Sequence, residues 1–78
     1  MSIEEEVIKI TAEEIGRKPN EIKINSRFAE DLGFDSLSQI ELVMKFEEKY
    51  SLKIEDKDAQ QMLTVGSAVD YISKHYKP

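Results

Sequence analysis

Ser36-Leu37-Ser38-Gln39-Ile40-Glu41-Leu42-Val43-Met44-Lys45-Phe46-Glu47-Glu48-Lys49-Tyr50 runs without a glycine or proline. A stretch of this length and composition reads as a helix from Ser36 to Tyr50. With Leu37 at zero and a step of about 100° per residue, Leu42, Phe46, Tyr50 and Val43 fall at about 140°, 180°, 220° and 240°, an ordinary core stripe. Leu37, Ile40 and Met44 fall at about 0°, 300° and 340°, on the far side, with Glu41 and Glu48 at about 40° and 20°. Two arrangements fit this pattern. In one, the helix is the buried centre of a bundle and its glutamates sit at the margins. In the other, Leu37, Ile40 and Met44 form a partner-facing strip with an acidic rim.

Upstream, Ser2 and Glu5 make an S-x-x-E capping box, and Glu4 to Glu6 suit the positive end of a helix dipole. Ile3, Val7 and Ile10 recur at helical spacing, with Ile8 and Ile15 widening the stripe. Gly16 supplies a left-handed stop, and Pro19 prevents resumption. From Arg17 to Phe34 the chain carries turn signals and four apolar anchors, Ile22, Ile24, Phe28 and Leu32. A connection this long is expected to be packed by its own side chains or to be functional. We read it as an extended loop with one helical turn near Phe28 to Leu32, closed by Gly33.

Downstream, a short third helix is expected over Asp56 to Leu63. A last helix follows with Thr64 as N-cap and Val65, Ala68, Val69, Ile72 and Tyr76 on one face. The fold class is therefore all-α: a four-helix bundle of three longer helices and one short third helix, with a long loop between helices one and two. Residues 1–78 make one domain, since a chain of 78 residues has no room for a second core.

Charge and composition bound the function. Eleven basic against 16 acidic residues give a net charge of −5, which disfavours phosphate backbones and anionic lipid heads as partners. Basic protein surfaces are favoured instead. Between Glu30 and Glu48 lie Glu30, Asp31, Asp35, Glu41, Glu47 and Glu48 against one cation, Lys45, a local excess as large as that of the whole chain. No apolar run reaches membrane-spanning length, and Met1-Ser2-Ile3-Glu4-Glu5-Glu6 is acidic, unlike a signal or transit peptide, so a cytoplasmic location without membrane insertion is expected. With no cysteine and a single histidine, His75, thiolate metal sites, cysteine nucleophiles and disulfides are excluded, and a Ser-His-Asp triad is disfavoured. His75 reads as a surface residue, and the chain as no enzyme. Any thiol chemistry must come from an attached group.

Ser36 stands where loop becomes helix. On its own it is a cap: Ser36 and Gln39 form an S-x-x-Q box, and Asp35 is an equally good N-cap. Its surroundings say more. Asp31-Leu32-Gly33-Phe34-Asp35-Ser36-Leu37, followed by Ile40-Glu41-Leu42 and Phe46-Glu47, closely resembles the attachment signature of acyl carrier proteins, and the likeness covers nearly the whole chain.

The resemblance implies that Ser36, flanked by Asp35 and Leu37, accepts 4′-phosphopantetheine from coenzyme A through a phosphopantetheinyl transferase. It implies a monomeric shuttle serving fatty acid synthesis enzymes with basic docking patches, which would meet Leu37, Ile40, Glu41, Met44, Glu47 and Glu48. By the same resemblance, Phe46, Tyr50, Ile54, Ala59, Met62 and Tyr71 would line an interior pocket for the acyl chain. A phosphodiester at a helix N-terminus meets free N–H groups and a favourable dipole, so the chemistry agrees. Some residues depart from the family pattern. Ser38 and Gln39 stand where an acid is frequent, and Lys45 and Lys57 dilute the acidic face. Phe34 is bulkier than usual, and Glu55 replaces a frequent proline. The alternatives are a carrier of amino acids or polyketide intermediates on the same arm, and a helical adaptor with an unmodified Ser36.

Overall fold

The computed structural model describes residues 2–76. Helix α1 spans Ile3–Ile15, α2 Ser36–Tyr50, α3 Asp56–Ala59 and α4 Val65–His75, with a 3-10 turn at Pro19–Glu21 inside the first loop. The capping box forms as expected. Ser2 Oγ accepts the Glu5 N–H at 3.1 Å, and Glu5 Oε1 accepts the Ser2 N–H at 3.2 Å. Gly16 ends α1 at φ 69°, a left-handed position that costs a glycine nothing. At the end of α2 Ser51 takes the same conformation at φ 53°, although it carries a side chain.

Helix α1 packs against both α2 and α4. Val7, Leu42, Phe46, Val65, Ala68 and Ile72 close the interior between these three helices, each almost fully buried. Burying a Leu, Ile or Phe side chain contributes about 1.5–3 kcal/mol, so this cluster contributes strongly to stability. Thr11 is buried among them without cost, because its hydroxyl donates to the Val7 carbonyl at 2.7 Å. Tyr50 extends the core to the ends of the bundle: its hydroxyl donates to Glu6 at 2.9 Å, and its ring meets Tyr76 edge to face. Burial and the Glu6 carboxylate together push the Tyr50 phenol above its ordinary range.

The long loop is ordered by backbone pairing. Gly66 N–H donates to the Ile24 carbonyl at 2.7 Å, Val65 N–H to Ser26 at 3.0 Å, and Phe28 N–H to Leu63 at 3.0 Å. Arg27 and Thr64 thus form an isolated antiparallel bridge, so the loop runs beside the connection into α4. Ile22, Phe28 and Leu32 are buried as anchors, but Ile24 is 42% exposed, because its backbone rather than its side chain makes the contact. A second correction concerns α3. The expected helix over Asp56 to Leu63 stops at Ala59, and Gln60 to Leu63 continue as turns with hydrogen bonds such as Met62 N–H to the Ala59 carbonyl at 3.1 Å. Those turns bury Met62 and leave Leu63 exposed.

Candidate functional site

The start of α2 is set by the loop before it. Gly33, at φ 75°, reverses the chain so that Phe34 N–H donates to the Phe28 carbonyl at 2.9 Å. Phe28 and Phe34 are both buried and meet edge to face at 5.5 Å, which explains the bulky residue before Asp35. Arg27 braces the turn from outside, pairing with Glu30 and with both oxygens of Asp31. The Arg27 hydrogen bonds hold the Asp31 carboxyl below its ordinary range.

With the chain so placed, Asp35 is the N-cap. Its Oδ1 accepts the Ser38 N–H at 2.8 Å, and Ser38 Oγ accepts the Asp35 N–H at 3.0 Å. The Ser38 N–H bond is the main reason the Asp35 carboxyl lies below its usual value. The box that forms is therefore Asp35 with Ser38, and the Ser36–Gln39 box read from the sequence does not form. Gln39 instead turns its amide towards the Met62 carbonyl at 3.4 Å. Ser36 is left as the first residue of the helix, exposed, and among the described residues its hydroxyl has no hydrogen-bond partner. An unengaged primary alcohol at the positive end of a helix can carry a phosphodiester, whose charge the free first-turn N–H groups favour. These residues fit a phosphopantetheine arm.

Ser36 also lies at the edge of a groove of about 730 Å³ between α2 and the segment from Lys53 to Leu63. Gln39, Ile40, Val43, Met44 and Glu47 line one wall, and Ile54, Ala59, Gln60 and Leu63 line the other. Ile54 N–H donates to Glu47 Oε2 at 2.8 Å and ties the walls together. Of the six residues assigned to an acyl pocket, Ile54 and Ala59 lie in this groove. Phe46, Tyr50 and Met62 are closed in the core, at 0%, 4% and 3% exposure. Tyr71 lines a second, smaller hollow with Asp58 and His75. Its hydroxyl donates to Asp58 Oδ2 at 3.1 Å, and its ring stacks on His75. The structure therefore does not gather the six into one pocket. Val43 and Leu63 were missed as groove residues, because the angular position of Val43 places it at the edge of the core stripe of α2 and Leu63 lies in the segment expected to be helical.

The far side of α2 is open. Leu37, Ile40 and Met44 are 67%, 58% and 58% exposed, so the helix is not buried all round. Glu41 and Glu48 are exposed beside them, whereas Glu47 is half-buried and engaged by Ile54. Lys45 does not face its neighbours on α2; its Nζ lies 2.8 Å from Glu14 Oε1 on α1. Among the described residues no cluster of His, Asp or Glu is arranged to hold a metal, and no helix is long and apolar enough to cross a membrane.

A family model described as the phosphopantetheine attachment site matches residues 5–72, from the first turn of α1 to the buried Ile72 of α4. Its members are carriers, not enzymes; they hold 4′-phosphopantetheine covalently and work with a phosphopantetheinyl transferase and partner enzymes. The chain belongs to this family, and it carries thioester-linked intermediates on a phosphopantetheine arm.

Proposed function

We propose that Ser36 is the attachment residue and that residues 1–78 act as one carrier domain, shuttling fatty-acyl intermediates between the enzymes of fatty acid synthesis. The observation that carries this reading is the unengaged Ser36 hydroxyl at the edge of an apolar groove. An alkyl chain on the arm gains from leaving water, about 0.8 kcal/mol per buried CH₂, and Ile40, Val43, Ile54, Ala59 and Leu63 offer it apolar walls. A small polar cargo would gain little from them. In this reading Leu37, Ile40 and Met44 meet the apolar centre of a partner's docking site, and Glu41 and Glu48 meet its basic rim. The carrier works as a monomer in the cytoplasm.

Two measurements test it. Given coenzyme A and a broad-specificity transferase, the protein gains one phosphopantetheine by intact mass, and Ser36→Ala gains none. Uptake by Ser36→Ala would move the site elsewhere. Protein isolated from its own cells is expected to carry fatty-acyl thioesters, whereas amino-acyl or polyketide loads would reassign the cargo and leave the site intact.

A further inference from the structure

Lys45 sits four residues after Glu41 and three before Glu48, on the same side of α2. Glu followed four residues later by Lys is the favoured order for an ion pair on a helix. Left to α2 alone, Lys45 would neutralise the two acids that flank the exposed strip. The structure holds it elsewhere. Lys45 Nζ lies 2.8 Å from Glu14 Oε1, and the Glu14 side chain is only 10% exposed. The contact is an ion pair more than an aligned hydrogen bond. Among the described residues neither Glu41 nor Glu48 has an ion-pair partner. The other acids of the same region are engaged: Glu30 and Asp31 by Arg27, Asp35 by Ser38, and Glu47 by the Ile54 N–H. The free acidity beside the strip therefore reduces to Glu41 and Glu48, and its strength depends on where Lys45 points.

We propose that Glu14, on a different helix from the docking face, sets the free negative charge of that face by diverting Lys45 from Glu41 and Glu48, so that both remain available to a basic partner. The inference rests on reading the exposed face of α2 as the docking face. Glu14 touches no partner; it is a positioning residue that acts through Lys45. The Lys45 ammonium is held above the ordinary lysine range chiefly by its close contact with the Glu14 carboxylate, with Glu13 and Glu41 contributing less.

The test measures the association rate with a phosphopantetheinyl transferase at low salt, for the whole protein and four variants. Glu14→Gln frees Lys45 and is expected to slow association by roughly two- to threefold, the effect of one helical ion pair of about 0.5 kcal/mol. Glu13→Gln, one residue along and exposed, removes the same charge from α1 and is expected to change the rate far less. Glu14→Gln with Lys45→Gln restores the wild-type rate, because the freed cation is gone. Glu41→Gln slows association whatever Glu14 does, and so reports on the docking face itself. Urea melts on each variant separate a rate effect from unfolding. The inference is overturned if Glu14→Gln and Glu13→Gln slow association equally, or if the double variant stays slow. If Glu41→Gln has no effect, the docking-face reading fails, and this inference with it.

Discussion

The carboxylate of Glu47 accepts the backbone N–H of Ile54 at 2.8 Å, across the seven residues that lead from the last turns of α2 to the opposite wall of the groove. Ser51, in a left-handed conformation, turns the chain between them. The segment that carries Ile54 is also held by the burial of Ile54 and Met62, by the Tyr71–Asp58 hydrogen bond and by the Phe28 N–H on the Leu63 carbonyl. Its helix α3 has only four residues, and Ala59 of that helix packs against the core. Glu47 is the side chain that ties α2 directly to the near end of this wall.

Glu47→Ala removes the acceptor and leaves a part-buried N–H unpaired, which typically costs about 1–3 kcal/mol. Glu47→Gln keeps an acceptor oxygen and is expected to cost less than half as much. Urea melts give the two stabilities, and hydrogen exchange at the Ile54 amide gives the local effect. Protection at Ile54 falls in the alanine variant first. Equal costs for the two variants would show that the charge, rather than the acceptor, holds the wall.

The two serines at the head of α2 exchange the roles that spacing alone offers them. Ser38 closes the capping box with Asp35, so Ser38→Ala is expected to destabilise by about 0.5–1 kcal/mol. Among the described residues the Ser36 hydroxyl has no hydrogen-bond partner, and Ser36→Ala is expected to fall within about 0.5 kcal/mol of the parent while abolishing uptake of the arm. Thermal melts beside a transferase assay separate the two. A large stability loss in Ser36→Ala would mean that its hydroxyl is engaged after all.

What the sequence revealed divides along the range of the interactions involved. The Ser2–Glu5 box, the Gly16 stop, the limits of α2 and the Thr64 cap are decided within one turn, and all were legible. The choice between Asp35 and Ser36 as cap was not, because both residues satisfy the local rule. It is the buried Phe34 that sets where the helix begins. Periodicity separated the two faces of α2 but could not say whether the second was covered. The groove was the least legible feature. Its far wall comes from the segment 53–63, where turns replace the expected helix beyond Ala59 and so bury Met62 but expose Leu63. Glu14 and Lys45 are 31 residues apart in the chain, and no periodic pattern links them.

Acid is expected to weaken the fold through named carboxyls. Asp35 and Asp31 both lie below the ordinary aspartate value of 3.8, Asp35 through Ser38 and Asp31 through Arg27. A carboxyl whose value is depressed by folding stabilises the native state above the unfolded value, and that contribution is lost as pH falls through the folded one. Stability should therefore hold from neutral pH down to about 5 and decline below about 4 as these contributions go. Asn at position 35 can still cap the helix, so Asp35→Asn removes the titration while keeping an acceptor. Its urea midpoint is expected to shift less between pH 7 and pH 3 than that of the parent. An identical shift would remove Asp35 from the account.

The strongest contrast the structure makes is between two side chains two positions apart on α2. Phe46 is 0% exposed between α1, α2 and α4, and Met44, nearly opposite, is 58% exposed. Truncating a buried Phe costs about 3–5 kcal/mol, because the lost transfer energy adds to that of the cavity left behind. A domain of this size has about 5 kcal/mol in all, so Phe46→Ala is expected to be largely unfolded in water. Met44→Ala removes a side chain that rests on the surface, and within about 0.5 kcal/mol it is expected to melt with the parent. Its effect lies in recognition. An apolar anchor at the centre of a docking face supplies a large share of the binding energy, so Met44→Ala is expected to slow transfer of the arm while leaving the fold intact. Paired urea melts and a transferase assay on both variants make the comparison. A folded Met44→Ala that accepts the arm at the parental rate would take Met44 out of the docking face and leave Leu37 and Ile40 as its apolar centre.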